Sequence, residues 1–234
     1  MAPFLVKLAV DKNSFACGAV HHAFDARALS GLKGCYVLKR YKQVQVAAIE
    51  ALFGSLDNHT RKCVRMHSLA CYYAMQLEKE VQSHASYGKT LQYPKVYVGK
   101  TKGDLFTLES YMEGKFVKYI NNDSHTCEKG SEVADKAEAF SHYTYVKSEK
   151  QLMVLDIQGT GYTLYDLEVA STNLLDDDQK MVLFCFGILS TEAIEQFLKE
   201  HCSSVITCSS CLIICRHSQY NVVHYRLKQT MFHV

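Results

Sequence analysis

One long amphipathic helix between two strand-rich stretches is the feature that most restricts the fold of this chain. Asp57 can cap a helix N-terminus, and the apolar side chains after it recur at steps of three or four residues. They are Cys63, Met66, Ala70, Ala74, Leu77 and Val81. This spacing places them on one helix face, which we expect to lie in a core and to carry no chemistry. With strands before and after it, the helix predicts an α+β fold.

The strand-rich stretches contain two charged residues, Lys39 and Glu109. The segment Cys35–Tyr41 (CYVLKRY) is rich in aromatic and branched side chains, which predicts a strand with Lys39 inside it. A β pair, Lys95–Val98 and Leu105–Tyr111, is predicted after the helix, and Glu109 interrupts its second apolar run. A lone Glu in a strand usually faces solvent, so Glu109 gains a role only if it shares a cleft with other functional residues.

Composition and charge exclude several classes of protein. The chain has 234 residues, is 48% hydrophobic and carries 26 Lys and Arg against 24 Asp and Glu. It is therefore too apolar for a disordered chain and too evenly charged for a dedicated nucleic-acid binder. No apolar run approaches the roughly 20 residues that cross a bilayer, and the opening MAPFLVKLAV lacks the features of a secretion signal. We expect a cytoplasmic protein with no membrane span and no nucleic-acid partner.

The ten cysteines fall into two groups. With no secretion signal, reduced thiols are expected rather than a disulfide scaffold. Six cysteines lie singly and are interpreted as small buried hydrophobes: Cys17, Cys35, Cys63, Cys71, Cys127 and Cys185. The other four crowd behind His201, which raises the hypothesis of a metal site: Cys202, Cys208, Cys211 and Cys215. The segment 202–234 contains no Asp, Glu, Gly or Pro, and its composition leaves open an extra strand pair or a poorly ordered tail.

The densest cluster of chemical groups follows the apolar run Gln151–Ile157. This run predicts a buried strand whose last residues emerge into a cleft at Asp156. Strand periodicity places Asp156 and Gln158 on one face, and Asp166 follows shortly after. Phosphoryl transfer needs a cation on the phosphates, a metal ion and a positioned acid, and Lys39 is the candidate cation. The alternative is an Asp that caps a glycine-rich turn.

Two more segments complete the prediction. Residues 121–136 are polar and are predicted to form a solvent loop. Ser190 or Thr191 can cap a short helix that ends at His201. Its apolar face is Ala193, Ile194, Phe197 and Leu198. For His142 and His201 the sequence allows zinc ligation, or a hydrogen-bonded core His142 with an exposed helix-end His201.

Four segments together resemble the α-kinase family of atypical serine/threonine protein kinases. They are FACGAVHHAF, YVLKRY, FTLESYMEGKFVKYINN and AFSHYTYVKSEKQLMVLDIQGTGYTLYD. The last is similar to the family's H-x-x-Y, D-L-Q-G and L-T-D pattern in order and spacing. The resemblance covers about residues 14–201, and the signatures of conventional kinases are absent.

For the fold, the resemblance implies a two-lobed atypical kinase. The β-rich N-lobe with one long helix would span about residues 1–115, and a mixed C-lobe about 116–201, so that residues 1–201 form the kinase domain. The Cys-rich segment 202–234 would follow as an atypical tail.

For the nucleotide, the resemblance implies five binding residues. Lys39 resembles the lysine on the ATP phosphates, and Glu109 with Met112 resembles the hinge that holds adenine. Lys118 and Asn122 resemble a Lys and an Asn that line the family's active site.

For catalysis and metals, the resemblance implies five further roles. Asp156 corresponds to the acid that orients or deprotonates the substrate hydroxyl, Gln158 to a residue that helps to hold Mg²⁺, and Asp166 to a second aspartate near the phosphates. His142 and His201 match the two histidines of the family's zinc site.

Three departures from the family pattern bear on activity. His21 replaces an arginine of the phosphate-covering loop, and Gly187–Ile194 lacks the Asn and a Gly of the family's substrate loop. The expected zinc cysteines are Ser203 and Thr207, each one residue from a cysteine. The first hypothesis is thus an ATP- and Mg²⁺-dependent serine/threonine protein kinase that acts on a protein substrate, with any regulatory partner supplied by another molecule. The alternatives are a degenerate nucleotide-binding pseudokinase or scaffold, and a thiol redox or zinc-dependent binding protein.

Overall fold

The computed structural model describes residues 4–101, 103–171, 184 and 190–204. The described chain divides into two compact units. The first contains the residues up to Asp57 together with Lys95–Tyr111, and the second contains Asn58–Pro94 and the described residues from Met112 onward. Strands dominate the first unit and the second is mixed, so the predicted α+β class is confirmed.

The first unit is built on one antiparallel sheet. The order along the sheet is β1-β3-β4-β6-β5, and β2 pairs with β3. The strands are β1 Lys7–Val10, β2 Ala16–Cys17, β3 His21–Ser30, β4 Cys35–Tyr41, β5 Val96–Thr101 and β6 Asp104–Ser110. Its core consists of Ala26, Tyr36, Leu38 and Leu108. The strand predicted at Cys35–Tyr41 and the later β pair are confirmed.

The first unit also contains a helix that the sequence did not predict. Helix α1 spans Gln43–Phe53, and Ile49 is the residue that it buries. Its sequence is apolar almost all round, so the contrast between a polar and an apolar face that marks an amphipathic helix is missing.

The second unit combines three further helices with short strands. They are α2 Leu56–Val81, α3 Glu132–Lys147 and α4 Ser190–Ser204, with β7 Val117–Lys118, β8 Leu152–Leu155, β9 Gln158–Thr160, β10 Thr163–Tyr165 and β11 Glu168–Ser171. The predicted helix after Asp57 is confirmed, and five of its six stripe residues are buried: Met66, Ala70, Ala74, Leu77 and Val81. The helix predicted at Ser190 is confirmed as α4.

The long helix α2 packs with a different part of the chain from the one that the sequence predicted. The prediction grouped it with the strands of residues 1–115, whereas the structure places it from Asn58 onward in the second unit. The reason is that its buried stripe joins one large core with Phe140 and Tyr143 of α3 and with strand β8.

The predicted solvent loop at residues 121–136 is wrong at its C-terminal end. Helix α3 begins at Glu132, because the Ser131 side chain caps it by accepting a hydrogen bond from the Ala134 amide. Lys136, which the pattern placed in solvent, has a side chain only 1% exposed. Its ammonium group donates to the carbonyl oxygens of Tyr87 and Lys89, both at 2.5 Å.

The interpretation of the single cysteines as buried hydrophobes is wrong for three of the five that the structure describes. Five free thiols are described, Cys63 and Cys71 being half-buried, but Cys17, Cys35 and Cys127 are exposed rather than buried. Cys185 and the expectations for Gly187–Leu189 and for residues 205–234 lie outside the described residues. Within the described ranges, no helix is long and apolar enough to cross a membrane.

Candidate active site

The candidate site is built on a long β-hairpin whose ladder is interrupted once. Strands β8 and β11 pair Leu155 with Glu168, and strands β9 and β10 pair Gln158 with Tyr165 in the same register. The ladder is broken where Asp156 and Asp166 leave it, with φ angles of 51° and 58°. Left-handed backbone is uncommon for residues other than glycine, and such outliers concentrate at functional sites. The hairpin therefore presents two strained aspartates at one break.

Asp156 is surrounded by polar groups from three segments. Its Oδ1 lies 2.6 Å from the Lys118 ammonium, and its Oδ2 accepts a hydrogen bond of 3.4 Å from the Gln158 side-chain amide. Its backbone N–H donates to the carbonyl oxygen of Asn121 at 3.4 Å. Burial raises the pKa of Asp156, Lys118 opposes this effect and Asp166 adds to it. Asp156 and Gln158 do lie together as predicted, although the positive φ means that simple strand alternation is not the reason.

A second polar contact closes the break between the two strands. The Gln158 amide nitrogen also donates to the Asp166 carbonyl oxygen at 2.5 Å. Burial and then Asp156 raise the pKa of Glu168, while Lys118 lowers it. The Lys118 ammonium group therefore favours the charged forms of Asp156 and Glu168, whereas the neighbouring carboxylates, including that of Asp166, disfavour them.

The residues at the break fit a magnesium ion of the kind that phosphoryl transfer uses. Mg²⁺ keeps several waters and binds through one or two carboxylates together with substrate phosphates. A closely spaced set of carboxylates supplies such ligands, and with its NH₂ group committed to aspartate, Gln158 has a carbonyl oxygen to offer. Among the described residues, no group of three or more His, Cys, Asp or Glu side chains is arranged to hold a metal ion by itself.

Lys39 and Glu109 form an ion pair in the first unit, which the sequence did not predict. The Lys39 Nζ lies 3.0 Å from the Glu109 Oε1, and both side chains are about 85% buried, with exposures of 14% and 15%. Strands β4 and β6 bring the residues together, since Glu109 pairs with Val37, two residues from Lys39. The chain passes from the first unit to the second between Tyr111 and Met112, so the predicted hinge residues flank this passage.

Two further residues that the sequence singled out are Asn122 and His21. Asn122 is exposed, whereas the preceding Asn121 contacts Asp156 through its backbone. His21, which replaces the family's arginine, begins β3 and packs on Tyr41 with ring centroids 4.4 Å apart.

His142 of α3 and His201 of α4 lie together, as the zinc hypothesis requires. Their ring centroids are 5.0 Å apart. His201 is 3% exposed, so the alternative of an exposed helix-end histidine is wrong. Burial, with a smaller effect of His201, lowers the pKa of His142 to about 4. Two neighbouring imidazoles, one of them neutral above this pH, fit one half of a tetrahedral zinc site.

Glu138 supports this pair and was not singled out by the sequence. Its Oε2 lies 3.4 Å from the His201 Nδ1, and its Oε1 accepts a hydrogen bond of 2.6 Å from the Thr126 hydroxyl. Burial alone would raise the pKa of Glu138, but His201 and Thr126 together bring it below its ordinary value. A carboxylate on the second nitrogen of a ligating histidine fixes the ring orientation. Only the topology reveals this contact, because nothing in the spacing of Thr126, Glu138 and His201 indicates it.

Comparison with known proteins gives consistent results. A model of the alpha-kinase family matches residues 16–208. Transient receptor potential cation channel subfamily M member 6 of Mus musculus is 34% identical over 105 residues, which are 45% of this chain and 5% of that protein. Myosin heavy chain kinase B of Dictyostelium discoideum is 32% identical over 111 residues, 47% of this chain and 14% of that protein. Eukaryotic elongation factor 2 kinase of Mus musculus is 40% identical over 65 residues, 28% of this chain and 9% of that protein. The chain thus spans a small part of each relative.

Solved structures agree with the fold. The alpha-kinase domain of myosin heavy chain kinase A in complex with ADP has a TM-score of 0.67 at 21% identity, covering 90% of this chain and 88% of that chain. The complex of the myosin-II heavy chain kinase A domain with AMP-PNP has a TM-score of 0.67 at 20% identity, covering 90% and 87%. These matches confirm the predicted kinase-like fold.

Proposed function

The chain belongs to the alpha-kinase family, and we propose that it transfers the γ-phosphoryl group of ATP to serine or threonine hydroxyls of a protein substrate. The observation that carries this proposal is the geometry of Asp156. Its carboxylate is 15% exposed at a strained break in a hairpin, 2.6 Å from the Lys118 ammonium and within hydrogen-bond distance of Gln158. A positioned acid beside a cation and a metal-ligand oxygen is what in-line phosphoryl transfer requires.

The proposed chemistry is a single displacement at the γ-phosphorus. The substrate hydroxyl oxygen forms a bond to this phosphorus as the bond to the bridging β–γ oxygen breaks, and ADP leaves. Asp156 holds the hydroxyl in line and receives its proton. Lys118 lies close enough to keep the Asp156 carboxylate ionised until the hydroxyl arrives. Mg²⁺, when bound, would neutralise charge on the phosphates, and Gln158 and Asp166 are the residues proposed to hold it and to line the phosphates.

The nucleotide contacts are proposed from the resemblance and from the Lys39–Glu109 pair. Lys39 would bind the ATP phosphates, and its buried partner Glu109 would hold the ammonium group in place. Glu109 and Met112 would contact adenine, and Asn122 would line the site. Because this chain covers only a small part of each relative, its protein substrate is to be identified by experiment.

The proposal is tested by measuring ATP binding and phosphoryl transfer separately. Purified chain is incubated with γ-labelled ATP and Mg²⁺, alone and with a basic helical protein, and label on protein is counted, while binding of a fluorescent ATP analogue is measured in parallel. We expect both binding and phosphoserine or phosphothreonine. Binding without any label would overturn the proposal in favour of a pseudokinase.

We also propose that the chain binds one structural zinc ion and that His142 and His201 are two of its ligands. Zinc would then join α3 to α4. The chain purified without chelator is expected to contain about one zinc per molecule by elemental analysis, and His142→Ala is expected to lose it together with thermal stability. His84→Ala, at a half-exposed histidine after α2, is the control. Equal zinc in the two variants, or none in the parent, would contradict this assignment.

A further inference from the structure

An aromatic pair, one ring of which is exposed and the other half-buried, lies beside the candidate active site without a role in the core. Phe116, immediately before β7, is 52% exposed. Its ring packs on that of Tyr165 in β10, with centroids 5.9 Å apart and planes inclined by 37°. Neither residue belongs to the described apolar core of the second unit, although Val117 packs against it. Leaving a large aromatic surface in water is unfavourable, so a pair of this kind points to a binding role.

The pairing of the strands places these rings on the face that carries the catalytic groups. In the sheet β10-β9-β7, Tyr165 pairs with Gln158, and Gln158 pairs with Lys118. Directly paired residues of neighbouring strands point to the same face. Tyr165, Gln158 and Lys118 therefore form one row across that face, at strand spacings of about 4.8 Å. Phe116 lies two residues before Lys118, and its contact with Tyr165 shows that it shares this face.

The same row connects to the proposed acid. Gln158 and Lys118 both contact Asp156, at 3.4 and 2.6 Å. A hydroxyl held at Asp156 is thus beside the polar part of the row, Lys118 and Gln158, and Tyr165 forms the apolar end, where the Phe116 ring packs on it. Alternate side chains of an extended peptide are about 7 Å apart. This distance of about 7 Å lies between one and two of the strand separations of about 4.8 Å along the row.

We propose that Phe116 and Tyr165 form a substrate subsite that receives an aromatic or branched aliphatic side chain two or three residues from the phosphorylated Ser or Thr. The occupant is the substrate segment itself, because the rings are continuous with the groups that bind the hydroxyl. This subsite rests on the proposed kinase function and narrows its substrates to segments with an apolar residue close to the phosphoacceptor.

The test uses short peptides that differ at one position. Each has a single Ser in a soluble background, with either Phe or Ala two or three residues before or after it. The parent is expected to prefer the best Phe peptide over its Ala counterpart by about 10-fold in kcat/KM, which is typical for an added apolar contact. Phe116→Ala is expected to lower kcat/KM for the Phe peptide to that of the Ala peptide, and Phe116→Leu to retain most of the preference. Tyr72→Ala removes an aromatic residue that is 46% exposed on α2 and should leave the preference unchanged.

Peptide binding is measured alongside transfer so that the two proposals can fail separately. Dissociation constants of fluorescent Phe and Ala peptides are determined for the parent and for Phe116→Ala in the presence of ADP and Mg²⁺. Tighter binding of the Phe peptide that depends on Phe116 would support the subsite even if no phosphate were transferred, a result that would reject only the kinase function. Equal binding of the Phe and Ala peptides by the parent, or equal weakening of both by Phe116→Ala, would overturn the subsite.

Discussion

Replacing Asp156 by Asn is expected to lower the rate of phosphoryl transfer about 1,000-fold, the usual size of a general-base contribution. The amide keeps the size of the carboxylate and can still accept a hydrogen bond from Lys118, but it cannot take the hydroxyl proton. ATP binding is expected to stay within about twofold. The measurement is single-turnover transfer from γ-labelled ATP, with ATP affinity determined separately.

The same substitution is expected to leave the protein at least as stable. Asn is well suited to the left-handed backbone at this position. The folded-state pKa of Asp156 lies above its unfolded value because of burial. The contribution of this group to stability is therefore present below the unfolded pKa and is lost as pH rises through the folded pKa, so at neutral pH the charged carboxylate opposes folding. An unchanged or higher melting temperature in Asp156→Asn would show that lost activity is not lost structure.

A raised pKa also predicts the acid limb of the activity profile. If Asp156 must be ionised to accept the proton, kcat/KM, which reports groups of the free enzyme, falls as pH decreases through the Asp156 pKa, at a higher pH than for an ordinary aspartate. Transfer that persists in Asp156→Asn at the parent's rate, with the same pH profile, would remove Asp156 from the mechanism.

Replacing Lys136 by Met is expected to destabilise the fold by about 3 kcal/mol, because it removes a buried charged donor and leaves its acceptors unpaired. The Lys136 ammonium group donates to two backbone carbonyls and lies 3.0 Å from Glu132. It also lies 4.7 Å from the centre of the Tyr87 ring. Methionine fills the space but satisfies none of these groups. The change in the free energy of unfolding is measured by chemical denaturation, and the m-value is expected to be the same in the parent and the variant.

Lys147 provides the matched control. It lies on the same helix and forms an ion pair of the same length, 3.0 Å, with Glu80, but its side chain is 25% exposed. Lys147→Met is therefore expected to cost under about 1 kcal/mol, since water replaces the lost partner. Similar losses in the two variants would show that burial of Lys136 does not determine its contribution.

Hydrophobic patterns predicted two elements of the large core. The apolar stripe of α2 is buried on one face, and the continuous apolar run of β8 is buried at every position, both as expected. Helix α1 was missed because its sides are equally apolar. The start of α3 was missed because the sequence does not distinguish a buried lysine from a solvated one. The burial of Lys136 is favourable only because its ammonium group donates to backbone carbonyls that lie far away in the sequence.

At the site, the sequence predicted which residues take part but not which residues they contact. Strand spacing grouped Asp156 with Gln158, and the family resemblance added Lys118, yet the distances between Lys118 and the other two depend on how β7 pairs with β9. The Lys39–Glu109 pair depends in the same way on the register of β4 with β6. Residues such as Glu138 act through neighbours far along the chain, and no local pattern marks such a contact.

The interrupted hairpin has a consequence for how this site can change in evolution. Both aspartates are located by one shared register, with paired residues on either side of the break. Substitutions within the arms leave the acids in place as long as the pairing persists, so the flanking sequence is free to drift. A single-residue insertion between the aspartates and the paired arms would turn side chains to the opposite face. The two acids are therefore inherited as one geometric unit, and neither can be repositioned alone.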